Sequence, residues 1–179
     1  HNFMVTFQEI IHSHNRIKNF IHKTPILKSR NLDQFTGTEL YFKCENFQKA
    51  GAFKIRGATN AVQQLKNEEL EKGVATASSG NHGAALAMAV SRRGGKVTVI
   101  MPDNSSGKKV ENVKRNGGDI IWCKPSQASR GKVLSDFVFE TGAIVIHPYN
   151  DERIIAGQGT AAKELLEEQP DLEVIITPL

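Results

Sequence analysis

Short apolar runs at Val74–Ala77, Lys96–Met101, Asp119–Cys123, Ala143–His147 and Glu173–Thr177 alternate with segments of helical composition at Gly83–Arg93, Gly107–Asn116, Gln127–Glu140 and Gly159–Glu168. Gly94-Gly95, Gly117-Gly118, Thr141-Gly142 and Gln169-Pro170 punctuate the series. Continuous apolar runs of this length suit strands buried on both faces, and intervening helices suit crossover connections. The pattern therefore predicts an α/β fold, a parallel sheet with helices on both faces and right-handed crossovers. Ligands of such sheets gather beyond the carboxyl ends of the strands, so the loops after the runs are where chemistry is to be sought.

Upstream the signals differ. Thr6, Phe7, Gln8 and Glu9 match a capping box, and Ile10, Ile11, His14, Ile17 and Ile21 follow at helical steps. Thr24-Pro25 is expected to end that helix. Leu40, Phe42 and Cys44 alternate with Tyr41, Lys43 and Glu45, which predicts a strand over Glu39–Glu45.

Composition narrows the functional classes. No apolar run reaches the roughly 20 residues of a membrane helix, and the first residues lack the pattern of a secretory signal, so a soluble, cytoplasmic protein is expected. The net charge of +4 raises the question of nucleic acid. The basic residues are scattered, Glu111 dilutes the densest cluster (Lys108, Lys109, Lys114, Arg115), and one Trp with two Tyr offers little for stacking bases. Cys44 and Cys123 form neither a disulfide framework nor a metal-ligand spacing and read as reduced thiols. His12, His14 and His22 show no metal-ligand pattern either. Gly157-Gln158-Gly159-Thr160-Ala161-Ala162 mimics a dinucleotide fingerprint but stands well past its strand, and reads as close backbone packing at a helix start. Asn104-Ser105-Ser106 is a glycosylation sequon without meaning in a protein that is not secreted.

Two segments remain. Ser78-Ser79-Gly80-Asn81-His82-Gly83 follows the run Val74–Ala77 and opens an alanine-rich helix, where free amides and the positive dipole end suit a carboxylate or phosphate. Its other reading is a tight turn with Ser or Asn as helix cap. In Gln48-Lys49-Ala50-Gly51-Ala52-Phe53-Lys54-Ile55-Arg56-Gly57-Ala58, Lys54 sits between two apolar residues at a helix start, where a desolvated amine becomes a Schiff-base nucleophile. The other reading is a surface lysine on an amphipathic helix.

Together the segments resemble one family, the pyridoxal-phosphate enzymes of the tryptophan-synthase-β type, in the branch of serine racemase and serine/threonine dehydratase. The matching elements are His22-Lys23-Thr24-Pro25, Phe42-Lys43-Cys44-Glu45-Asn46, Phe47 to Ala58, Ser78 to Gly83, and His147-Pro148-Tyr149-Asn150-Asp151 leading into Ala156-Gly157-Gln158-Gly159-Thr160. The likeness spans the chain from about Phe7 onward. It implies that Lys54 joins pyridoxal phosphate as a Schiff base and acts as the base on one face of the substrate. It implies too that Ser79 is the acid/base residue on the other face, Phe53 packs near the ring and Asn81 bonds its ring oxygen. Ser78, Ser79, Asn81 and His82 would cradle the substrate carboxylate, and Arg130 would approach the substrate carboxyl. Two bases on two faces racemise; loss of a β-hydroxyl instead gives a keto acid and ammonia. Tyr149 departs from racemases that carry Asn there and matches plant-like racemases and several dehydratases.

The same resemblance implies an architecture. Residues 1–71 would be the first part of a large domain carrying Lys54, 72–149 a small α/β domain, and 150–179 the start of the rest of the large domain. Family members are nearly twice as long, so the chain is expected to be truncated, and an alternative to the enzyme reading is an inactive fragment that lacks the phosphate-binding glycine loop. The glycine-rich phosphate loop, the partner of the pyridine nitrogen and the acidic ligands of Mg or another divalent cation would lie outside it. A small amino-acid substrate, a nucleotide activator and a homodimer of the full-length protein are implied, with no nucleic acid and no membrane. Apolar surface exposed at the incomplete large domain is expected to promote self-association.

Overall fold

The computed structural model describes residues 5–178. Four strands, β3 (Val74–Ala77), β4 (Val97–Pro102), β5 (Asp119–Cys123) and β6 (Ile144–Val145), form an all-parallel sheet in the order β5-β4-β3-β6. A separate antiparallel pair joins β1 (Ile26–Leu27) to β2 (Phe42–Lys43). Among the described residues no helix is long and apolar enough to cross a membrane.

The helices that follow the strands are α5 (Asn81–Ser91), α6 (Gly107–Arg115) and α7 (Gln127–Thr141). α5 and α6 pack on each other and on β3, β4 and β5, while α7 packs on β3, β4 and β5 in turn. Five of the eleven residues of α5 are alanine or glycine, and Ala84, Ala85 and Ala87 are fully buried. That lets it lie close to the sheet: a Cβ added at Gly83 would stand 2.8 Å from Val99 Cγ1.

The second layer of packing is helical. α1 (Phe7–Ile17), α3 (Lys54–Gln63) and α8 (Glu152–Glu168) pack on one another, and α3 also packs on α5. α2 (Arg30–Thr36) and α4 (Asn67–Glu71) are short connectors. The capping box of α1 forms: Thr6 Oγ1 accepts from the Glu9 amide at 3.3 Å, and Glu9 Oε2 accepts from the Thr6 amide at 2.6 Å. Ser126 caps α7 and Asp151 caps α8 by accepting first-turn amides.

The core of this layer holds a charge cluster. Arg56 is 0% exposed and makes paired hydrogen bonds to both Glu45 and Glu164, each at 2.8 Å, while Lys43 Nζ reaches Glu164 at 2.8 Å. Two cations thus face two carboxylates, which burial requires. Glycine sets the distance between the helices. A Cβ on Gly157 would lie 2.6 Å from Gly57 Cα, so α3 and α8 touch backbone to backbone.

Several boundaries differ from the sequence pattern. The expected strand Glu173–Thr177 is irregular, and Val174 and Ile176 stand exposed; a run is a strand only where a neighbour accepts its hydrogen bonds. The expected strand Glu39–Glu45 shrinks to Phe42–Lys43, because its partner Ile26–Leu27 begins after Pro25, which has no amide to donate. α1 ends at Ile17 rather than continuing to Pro25, and a tight turn from Phe20 N to Ile17 O follows. α8 starts at Glu152, so Gly157 and Gly159 lie inside the helix instead of at its start.

Candidate active site

Lys54 is the first residue of α3, and the loop before it is tightly constrained. Gln48, 4% exposed, accepts the His22 and Lys49 amides at Oε1, each at 2.9 Å, and donates from Nε2 to His22 O at 2.6 Å. Ala50 then turns left-handed at φ 60°, followed by Gly51 at φ 77°, which reverses the chain into the helix. An alanine in that region carries about 1 kcal/mol of strain. The loop delivers a half-buried lysine whose Nζ donates to Pro148 O at 3.1 Å and lies 5.1 Å from the Phe53 ring centre. Burial pushes the Lys54 amine below the usual lysine range. The positive end of α3 acts in the same direction.

The loop after β3 faces the same region. Ser78 is buried, and its hydroxyl accepts the Gly83 amide at 3.1 Å and the Gly80 amide at 3.3 Å. That oxygen therefore builds the loop rather than facing outward. Ser79 and Asn81 are exposed. Among the described residues the amides of Asn81 and His82 have no oxygen partner, so the start of α5 keeps free donors for an anion.

His82 is 3% exposed, with Nε2 3.4 Å from Ile146 O. A carbonyl only accepts, so the proton sits on Nε2 and the buried Nδ1 has no partner. Burial lowers this imidazole to about 4, and the nearby charge of Lys54 adds to the effect. The side chain is thus a neutral strut between α5 and the end of β6, and what His82 offers toward solvent is its backbone amide. Thr76 Oγ1 donates to the same Ile146 oxygen at 2.8 Å.

Arg130, in the first turn of α7, lines a cavity of about 270 Å³ with Thr76, Gln127, His147, Pro148 and Tyr149. Its Nε is buried without a partner. A larger cavity of about 390 Å³, bordered by Phe53, Leu165 and Ile176, is apolar in character, and neither Lys54 nor the Ser/Asn loop opens onto it. The polar groups converge instead where β3 and β6 end, as a parallel sheet dictates.

Of the residues singled out in the sequence, Lys54 and His82 are thus tied to neighbouring residues of one loop, 146–148, and Arg130 shares the cavity wall that Pro148 forms. Ser79 and Asn81 lie on the open side of the loop between them in sequence. Three participants had no sequence signal: Thr76, which reads as a strand residue, and the carbonyls of Ile146 and Pro148, which every residue possesses.

The donor set fits pyridoxal phosphate. An amine with a lowered proton affinity, bonded to a carbonyl and not to a carboxylate, is free to react with an aldehyde, and free helix-start amides with exposed Ser and Asn side chains stand ready for anions. A family model described as pyridoxal-phosphate dependent enzyme matches residues 17–179. The chain belongs to that family.

Its relatives refine the placement. The chain is 48% identical over its whole length to a serine racemase of Oryza sativa subsp. indica, covering 53% of that protein. It is 47% identical over 99% of its length to a beta-hydroxyaspartate dehydratase of Paracoccus denitrificans, covering 56% of it. The structure of maize serine racemase superposes with a TM-score of 0.93 at 46% identity, over 96% of this chain and 52% of that one. The α/β parallel-sheet fold of this pyridoxal-phosphate family is therefore shared, and the chain spans about half the length of the relatives it matches.

Proposed function

We propose that the protein is a serine racemase that also dehydrates serine, and that residues 1–179 carry its lysine side and its substrate-carboxylate loop. The observation that carries this is the half-buried Lys54 amine, held by Pro148 O and by no carboxylate, beside the free amides that open α5. Relatives of both racemase and dehydratase type support it.

Pyridoxal phosphate, when bound, supplies an electron-withdrawing ring that makes the substrate's α-proton removable. Lys54 takes or returns that proton at the α-carbon on its own face, a role for which burial suits its amine. Ser79 handles the proton on the opposite face. The Asn81 and His82 amides receive the α-carboxylate, with the Asn81 side chain toward the ring oxygen and Phe53 against the ring. Ser78 preorganises the loop through its two amide bonds, and the Arg130 guanidinium faces the cavity as a further anion contact. The division at residues 71 and 149 belongs to the same reading, with Lys54 on one side and Ser79 on the other.

A second reading is a serine/threonine dehydratase without racemisation; Tyr149, whose ring borders the cavity beside Arg130, fits either, since plant-like racemases and several dehydratases resemble this chain there. Chiral analysis of serine recovered from L-serine with pyridoxal phosphate separates the two. D-serine together with pyruvate supports the racemase, pyruvate alone supports the dehydratase, and neither product from the protein overturns both.

A further inference from the structure

The turn after β6 is closed by one ring nitrogen. His147 Nδ1 accepts the amide of Tyr149 at 3.3 Å and that of Asn150 at 2.9 Å. The Tyr149 ring stands edge-on to the imidazole, with centroids 4.5 Å apart and planes at 88°, which fixes the ring's orientation. The carbonyl inside this turn, Pro148 O, is the acceptor of the Lys54 ammonium.

Nδ1 accepts only while it carries no proton, so the turn as seen requires a neutral imidazole. Burial pushes the His147 imidazole below the usual histidine range, against the opposing pull of the Asp151 carboxylate. That carboxylate is engaged by Arg153, with contacts of 2.6 and 3.0 Å. The other ionisable groups facing this turn are His82 from α5, Lys54 from α3 and Arg130 from α7, and none of them supplies a negative charge that would favour a protonated ring.

We propose that His147 is a positioning residue for Lys54: its unprotonated Nδ1 holds the turn 148–150 closed, the closed turn presents Pro148 O to the lysine, and protonation of the ring opens the turn and frees it. The inference rests on Lys54 being the cofactor lysine. The carbonyl gives the protonated amine a fixed standing point, from which it is held ready to deliver a proton on its own face of the substrate.

Two substitutions separate this from a general structural role. His147→Asn keeps an oxygen acceptor close to the position of Nδ1 but cannot be protonated, and His147→Leu removes the acceptor. Exchange protection of the Tyr149 and Asn150 amides, followed by NMR without cofactor, should fall by about tenfold in the wild type as the pH drops below His147's lowered titration range. It should stay high across that range in His147→Asn and be lost throughout in His147→Leu. Acetylation of Lys54, read by peptide mass spectrometry at about pH 8, should be faster by about threefold in His147→Leu, whose ammonium has lost its acceptor, and nearly unchanged in His147→Asn.

Protection that ignores pH in the wild type, or equal Lys54 acetylation in folded samples of all three proteins, overturns the proposal. Should His147→Leu fail to fold, judged by the β4 amides, the pH profiles of wild type and His147→Asn still decide it: parallel profiles reject the proposal and divergent ones support it. Borohydride trapping of pyridoxal phosphate on a different lysine, with these profiles as expected, would refute the cofactor assignment alone.

Discussion

Lys54 Nζ stands 3.1 Å from the carbonyl oxygen of Pro148, a residue 94 positions further along the chain. This contact joins the start of α3 to the turn beyond β6. His82 and Thr76 tie the end of that strand to α5 and β3 through Ile146 O. The lysine, the Ser/Asn loop and the cavity of Arg130 are thereby fixed relative to one another by backbone oxygens of a single short segment.

Neutral burial of His82 has a pH signature. Its folded value is lowered to about 4 from 6.5, so between those values the unfolded chain binds a proton that the folded chain refuses. Stability from this group is intact above pH 6.5 and declines as the pH falls toward 4, by about 3 kcal/mol in total. His82→Gln keeps a donor for Ile146 O and cannot titrate. Urea unfolding across this pH range should therefore show a shallower decline in the variant than in the wild type.

The Arg56 cluster should fail when one partner is removed. Arg56→Leu leaves Glu45 and Glu164 facing each other in the core and is expected to cost about 3–5 kcal/mol in denaturant unfolding. Burial alone would raise the Glu164 carboxyl, but the hydrogen bonds and charges of Arg56 and Lys43 outweigh it and hold the group below 4.5. Its contribution is present above pH 4.5 and is lost as the pH falls through the lowered folded value. Glu164→Gln should weaken that acid dependence.

Gly157→Ala tests the helix contact that supports Lys54. The new methyl would lie 2.8 Å from Arg56 O and 2.6 Å from Gly57 Cα, both backbone atoms that cannot rotate away. Overpacking of this kind costs about 1–3 kcal/mol, read as a lowered midpoint in thermal or urea unfolding. Gly131→Ala, where no atom lies within 4 Å of an added Cβ, should leave the midpoint unchanged or slightly raised.

The longer strands were legible as runs: β3 and β4, buried on both faces, are the continuous apolar stretches Val74–Ala77 and Lys96–Met101, and β5, an edge strand with Asp119 and Trp122 exposed, still lies where Asp119–Cys123 places it. The extent of the two-residue strands was not: β2 and β6 lie inside the expected runs Glu39–Glu45 and Ala143–His147 but are cut short by what their partners offer, information a run does not hold, and β1 had no signal of its own. The Gly157-Gln158-Gly159 segment shows both sides. Close backbone packing is the right reason for its glycines, but Ile154 and Ala156, buried against α3, extend the helix back to the cap at Asp151. Lys54, Ser79 and Asn81 were visible as residue types in motifs. The roles of Ser78 and His82 within the loop depend on which way each side chain turns, and Pro148 acts through an oxygen common to every residue.

The central claim, that Lys54 is the amine that takes the cofactor, has a direct chemical measurement. The protein is incubated with pyridoxal phosphate, reduced with borohydride, digested, and its lysines are mapped by mass spectrometry. The pyridoxyl group should reside on Lys54 in preference to every other lysine, and a Lys54→Ala variant should lose that label. Label spread over exposed lysines with Lys54 unmodified would contradict the account.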